Sequence, residues 1–340
     1  MRLLILTQAV DRDDPVLGFF HRWIEEFSKK YEKVNVICLG EGRHQLPVNV
    51  AVHSLGKERG VSRIEYVLAF YRYIWTLRNE YDAVFVHMNQ EYVLLGSLLW
   101  LLWGKRVVLW RNHRMGSLLT RIAGALAHVV CFTSPAAYVA HFPRSRRMPI
   151  GIDTERFAPR GEKSARSVLF LGRLDQVKNA DVFVQALRIL AEQKVQLHAS
   201  LYGDPTVPDS QYVREIRTAA ASLAGLLSVH AGVTNEKAAE LFASHEIYVN
   251  LTPSGSFDKT IGEAMAAGCT VVAYNDAVRS VLPAALFVER PEAQPVASAL
   301  KVALNLSAEE KEALSKRQRS FVVDTHSLVL LSAKLAEILR

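Results

Sequence analysis

Ser167-Val168-Leu169-Phe170-Leu171-Gly172-Arg173-Leu174-Asp175-Gln176-Val177-Lys178-Asn179 is the stretch on which the fold turns. A short apolar run ends in a glycine, which lets the backbone turn sharply. A loop with two cations follows, and residues 180–192 then carry apolar side chains at helical spacing. An unbroken apolar strand of this kind is buried on both faces, as in a parallel sheet, and such strands need helical crossovers.

The same alternation extends in both directions. Upstream, strands are predicted over 2–7, 34–39, 83–87, 106–110 and 129–133, with helices over 18–30, 61–78, 92–103 and 118–127. Downstream, strands are predicted over 196–202, 227–230, 247–251, 270–274 and 285–288, with helices over 235–244 and 259–267. Apolar periodicity lapses over 149–160, PIGIDTERFAPR. The chain of 340 residues therefore reads as α/β, with two doubly wound Rossmann-like domains facing across a cleft. Their expected limits are 1–150 and 151–315, and a C-terminal helix over 316–340 is a candidate to pack back on the first domain. Ligands of open parallel sheets lie beyond the carboxyl ends of the strands.

Composition narrows the function. Half the residues are apolar and 22% are charged, the balance of a folded globular enzyme. Cys38, Cys131 and Cys269 are too few and too scattered for a disulfide framework or a metal cluster, which points to a reducing, cytoplasmic setting. No cleavable leader follows the first strand, and the longest apolar run, 92–103, is too short to cross a bilayer. The net charge of +7 arises within 101–150, which holds eight basic residues and no acidic one. A field so concentrated suits ligand phosphates or an anionic membrane; without a stacking platform it does not suit nucleic acid. A solvated basic face is the plainer alternative.

Familiar chemistries are excluded by their absent motifs. Gly40-Glu41-Gly42 lacks the third glycine of a dinucleotide fingerprint, which would fall at Gln45. No phosphate-loop lysine motif, HExxH, GxSxG or CxxC occurs, and no paired carboxylates mark a metal site.

Three patches remain. Gly172, Arg173 and Lys178 form either a solvated loop or a diphosphate cradle, with one planar and one point-like cation. Residues 253–268, PSGSFDKTIGEAMAAG, place polar residues before a small-residue helix whose orphan amides suit an anion. Glu263 there either complements the helix dipole or accepts ribose hydroxyls. Tyr202-Gly203-Asp204-Pro205 with Gly232-Val233 could line a nucleobase slot.

Together these patches resemble glycosyltransferase family 4, retaining enzymes of the GT-B fold, in its bacterial form. PIGIDTERF resembles the family's interdomain segment, GRLDQVKN its diphosphate loop, and GEAMAAGCTVVA its nucleotide-binding helix and strand. The resemblance implies that Arg173 and Lys178 hold the donor diphosphate and that Glu263 binds the ribose. It implies that Gly255, Ser256, Phe257, Asp258, Lys259, Thr260 and Ile261 meet the donor sugar and phosphates, largely through amides. Gly18, Gly172, Gly203 and Val233 would also contact the donor, and His113 would face its sugar as a catalytic residue. The family pairs two glutamates eight positions apart, but here the upstream position is Gly255. Asp258 is a candidate substitute; a different donor sugar, or inactivity, are the other readings.

The implied reaction is metal-independent sugar transfer from a nucleotide diphosphate sugar, a co-substrate in place of any cofactor, with retention. The acceptor would be a glycan or lipid-linked molecule of cell-surface polysaccharide or glycolipid synthesis. Arg22, Trp23, Arg111 and Arg114, among basic and aromatic residues of the first domain, are candidates for contact with acceptor or membrane, placing the protein on the inner face of the plasma membrane. A non-catalytic nucleotide-sugar-binding protein, or a GT-B epimerase or phosphorylase, are the rival functions.

Overall fold

A computed structural model describes residues 1–14, 16–208, 210–255 and 257–340. The chain divides into two compact units, Met1–Gly151 with Leu328–Arg340, and Ile152–Ser327.

In the first unit, strands β1 (Leu3–Val10), β2 (Val34–Glu41), β3 (Val50–Ser54), β4 (Ala83–His87), β5 (Arg106–Trp110), β6 (Val129–Phe132) and β7 (Ser145–Arg147) form one parallel sheet. Its order is β3-β2-β1-β4-β5-β6-β7, with Leu3 level with Val34 on one side and Ala83 on the other. Helices α1 (Gly18–Ser28), α2 (Arg63–Thr76), α3 (Gln90–Leu102) and α4 (Leu118–Leu126) cross between strands, and α11 (Leu328–Leu339) closes the unit. Alternate residues of β1 go to opposite cores: Leu3 and Ile5 pack with α1 and α11, Leu4 and Leu6 with α2, α3 and α4.

In the second unit, β8 (Ser164–Leu171), β9 (His198–Tyr202), β10 (Leu227–His230), β11 (His245–Asn250) and β12 (Thr270–Ala273) run parallel in the order β10-β9-β8-β11-β12. Helices α5 (Ala180–Glu192), α6 (Gln211–Ala221), α7 (Asn235–Ser244), α8 (Lys259–Ala266), α9 (Ala293–Asn305) and α10 (Ala308–His326) flank it. Val168 and Phe170 share a core with α5, α6 and α9. The chain turns back between β8 and β11, so loops diverge there and leave a crevice at the strand ends.

Two expectations are corrected. Residues 285–288 are not a strand: Pro283 O accepts from the Leu286 amide in a tight turn, and Phe287 makes only an isolated bridge to Ala273. Residues 316–340 are not one helix. The break falls at Ser327, where Ile152 N donates to His326 O, so α10 stays in the second unit and α11 in the first.

Candidate active site

The crevice between β8 and β11 is held by one carboxylate. Asp258 caps α8, accepting on Oδ1 from the Thr260 amide at 3.2 Å and the Thr260 hydroxyl at 2.9 Å. Its Oδ2 accepts from Lys178 Nζ at 2.5 Å, Thr252 Oγ1 at 2.9 Å and Asn250 Nδ2 at 3.1 Å. Burial alone would push this carboxyl up; the Lys178 ammonium and the hydrogen bonds outweigh it and hold it well below the usual carboxylate range. Asn250 and Thr252 were not singled out in the sequence. The signal they offered is two buried polar side chains at the end of an apolar strand, which need partners.

Lys178 reaches Asp258 across Gly172: a Cβ there would stand 3.8 Å from the Lys178 stem. Asn179 turns the chain into α5 in the left-handed region, φ +53°, and its side chain donates to Leu251 O at 2.8 Å. Neighbouring strand-end loops are stitched together, with Gly172 N donating to Tyr202 O and Leu174 N to Asp204 O, each at 3.0 Å. Gly203 must be glycine, because a Cβ would lie 1.9 Å from Gly172 O. Arg173 stands in solvent, 3.4 Å from Asp175. On the same edge Tyr202 and His230 stack at 4.4 Å, and Val233 is half-buried nearby in sequence.

Glu263 lies buried in α8, its Oε1 accepting from Asn235 Nδ2 at 3.1 Å. Arg156 donates to Asn235 Oδ1 at 3.3 Å, so the segment after Ile152 steadies the amide that holds Glu263. Arg319 of α10 donates to the carbonyls of Thr154, Phe157 and Ala266, tying that segment to the end of α8. Burial pushes the Glu263 carboxyl up and the Lys259 ammonium down. Asn235 and Arg156 carried no sequence signal of their own.

The loop before α8 is less open than its sequence implies. The Thr260 and Ile261 amides already donate to Asp258, to its side chain and its carbonyl, and are not orphans. Phe257 is buried edge-on against His326, and Ile261 is wholly buried. Asp258, with five donors on its two oxygens, is not a vacant acceptor for sugar hydroxyls. Gly255 sits at φ +133°, where an L side chain is strained. Ser256 lies outside the described residues.

In the first unit, His113 is exposed on the loop after β5, with Nδ1 at 3.1 Å from both the Met115 amide and its carbonyl oxygen. Arg111 is half-buried and donates to Met115 O at 3.3 Å, whereas Arg114 is exposed. Gly18 opens α1, where a Cβ would meet Arg12 O at 2.9 Å. The expectation for Trp23 is corrected. It is 2% exposed, edge-on to Trp110 among core aromatics with its indole donating to Gly151 O at 3.0 Å, so it faces neither membrane nor acceptor. Arg22 is paired with Glu25.

Two family models match this chain. One, Glycosyl transferases group 1, matches residues 165–305; the other, Glycosyl transferase 4-like, matches residues 14–139. No curated protein matches the sequence. Among solved structures, Anabaena HepE in complex with UDP is similar at 16% identity and a TM-score of 0.78, over 100% of this chain and 99% of that one. Sucrose-phosphate synthase from Thermosynechococcus elongatus is similar at 17% identity and 0.73, over 99% and 98%. A glycosyltransferase from Rickettsia africae is similar at 13% identity and 0.77, over 99% and 98%.

Proposed function

We propose that this chain, a glycosyltransferase of the GT-B fold with two Rossmann-like units, transfers a sugar from a UDP-sugar or related nucleotide diphosphate sugar with retention of configuration. The observation that carries this reading is Lys178 set against the N-terminus of α8 at the turning point of the second sheet. The named ligand of HepE, UDP, supports uracil as the base.

The difficult step is departure of a diphosphate from a sugar that becomes oxocarbenium-like. Lys178 exchanges Asp258 for the leaving phosphate, and Arg173, exposed to solvent, closes on the same charge. Cations already in place stabilise developing charge without reorganisation. Glu263 takes the ribose hydroxyls. The acceptor hydroxyl attacks on the face that the diphosphate leaves. As the bond from C1 to the phosphate oxygen breaks, a new bond from C1 to the acceptor oxygen forms, and the acceptor proton passes to the departing phosphate. The cations carry the leaving-group charge themselves, so the reading is metal-independent. The acceptor is a glycan or lipid-linked molecule of cell-surface synthesis, met at the inner face of the plasma membrane.

Thermal melting with UDP, GDP, ADP and their sugar conjugates tests the reading, since a ligand bound only by the folded form raises the midpoint. A shift with UDP and its conjugates, followed by turnover with retained configuration, is expected. Melting indifferent to every nucleotide overturns it.

A further inference from the structure

The layer of α2, α3 and α4 in the first unit turns an unusual surface outward. Leu98, Leu101 and Leu102 on α3 are each at least two-thirds exposed, and Leu118, Ile122 and Leu126 on α4 form an exposed stripe at helical spacing. The two helices pack against each other, so these side chains lie on one layer. Trp75, also exposed, meets Trp103 edge-on and extends the surface to α2. Exposed apolar side chains gathered on packed helices in this way are the kind of surface that marks an interaction site.

Its chemistry is set by what lies beside it. A cavity of about 770 Å³ borders α4, lined by Arg114, Arg121, His141 and Arg144 with Tyr138 and Phe142. Gly124 and Ala125 of α4 leave it room. Some arginines elsewhere pair with carboxylates, as Arg2 with Asp82 and Arg279 with Glu289, while others on the surface, such as Arg63, Arg188 and Arg217, stand singly; at this cavity three converge. Among the described residues the guanidiniums of Arg114, Arg121 and Arg144 have no hydrogen-bond or ion-pair partner, and 101–150 contains no acidic side chain to supply one. Three unpaired forks around one cavity repel each other until an anion arrives, and phosphate fits guanidinium geometry.

We propose that this face docks on an anionic bilayer, the arginine cavity taking a lipid phosphate while the leucines of α3 and α4 enter the acyl boundary. Apolar insertion and charge attraction act together at such surfaces. The proposal names the surface for the membrane-borne acceptor suggested above and rests on that reading only for its purpose. It can fail alone, because flotation reads the face without turnover and nucleotide melting reads the donor site without lipid.

The test is flotation of the full chain with vesicles of phosphatidylcholine, alone or mixed with phosphatidylglycerol, at low and high salt. The chain is expected to float with the mixed vesicles and not with the neutral ones. Arg114→Gln, Arg121→Gln and Arg144→Gln should each lower partitioning about fivefold at low salt. Leu118→Ser with Ile122→Ser should lower it further while leaving the melting midpoint unchanged, since both positions are exposed. Equal flotation of the wild type and the triple arginine variant, or none by the wild type, overturns the proposal. So does protection of the cavity by inorganic phosphate without vesicle binding, or a dimer that the Leu118→Ser, Ile122→Ser pair dissociates.

Discussion

Lys178 Nζ lies 2.5 Å from Asp258 Oδ2, so the cation assigned to the donor diphosphate is already engaged by a carboxylate of its own chain. Removing either partner leaves the other charge in a largely buried place. Lys178→Ala should cost about 3–5 kcal/mol of stability, measured by urea unfolding at neutral pH. It should also lower kcat about 100-fold or more, by analogy with loss of one oxyanion donor.

The same pair sets an acid response. The Asp258 carboxyl titrates below its ordinary 3.8 in the folded protein, so its contribution is full at neutral pH and is lost as pH falls from about 4 downward. Asp258→Asn should lower stability at neutral pH and flatten its dependence below about 4. Urea unfolding from pH 6 to pH 2 checks this; parallel curves for wild type and variant would refute it.

Arg173 offers the opposite separation. Its side chain is 55% exposed and its ion pair with Asp175 is worth little. Arg173→Ala should therefore change stability by no more than about 0.5 kcal/mol while lowering kcat about 100-fold. Near-normal turnover would remove it from the mechanism.

Glu263 should make donor binding depend on pH. Burial pushes its carboxyl up, and the ionised form, with both oxygens able to accept and no proton of its own to place, suits the ribose hydroxyls better than the protonated one. Affinity for UDP should weaken toward acid pH, above the range where an ordinary carboxyl titrates, and Glu263→Gln should bind weakly with a flat profile. Calorimetric titration across pH 5.5 to 8.5 distinguishes the two.

Gly255 stands where the resembling family carries a glutamate. With φ at +133°, any side chain there costs about 1–3 kcal/mol of local strain. Gly255→Glu should thus weaken donor binding and leave turnover no higher than wild type, rather than restore a missing contact. Higher kcat/KM in that variant would show that the loop adapts.

Much of the fold was legible because the period of apolar residues reports local structure directly. The strands 83–87, 106–110 and 227–230 match their elements residue for residue. β3 and β7 were missed because edge strands, half solvated, carry no continuous apolar run: β7 reads Ser145-Arg146-Arg147. The helices α6 and α9 fall outside the predicted elements because α6 buries only Val213, Ile216 and Ala220, a sparse apolar stripe, and Pro295 interrupts the pattern at the start of α9. The candidate site was legible as residue types: cations after a strand, a polar entry to a helix, a glutamate within it. Which of them touch was not.

The order of apolar and turn residues along the chain determined two doubly wound α/β units and the loop that carries Arg173 and Lys178, because those features depend on neighbours in sequence. Only the tertiary structure decided that Asp258 is spent on Lys178, 80 positions away, that Trp23 is core, and that three arginines share an unpaired cavity beside exposed leucines. Those outcomes depend on which strand ends are brought side by side, and the crossover topology sets that order.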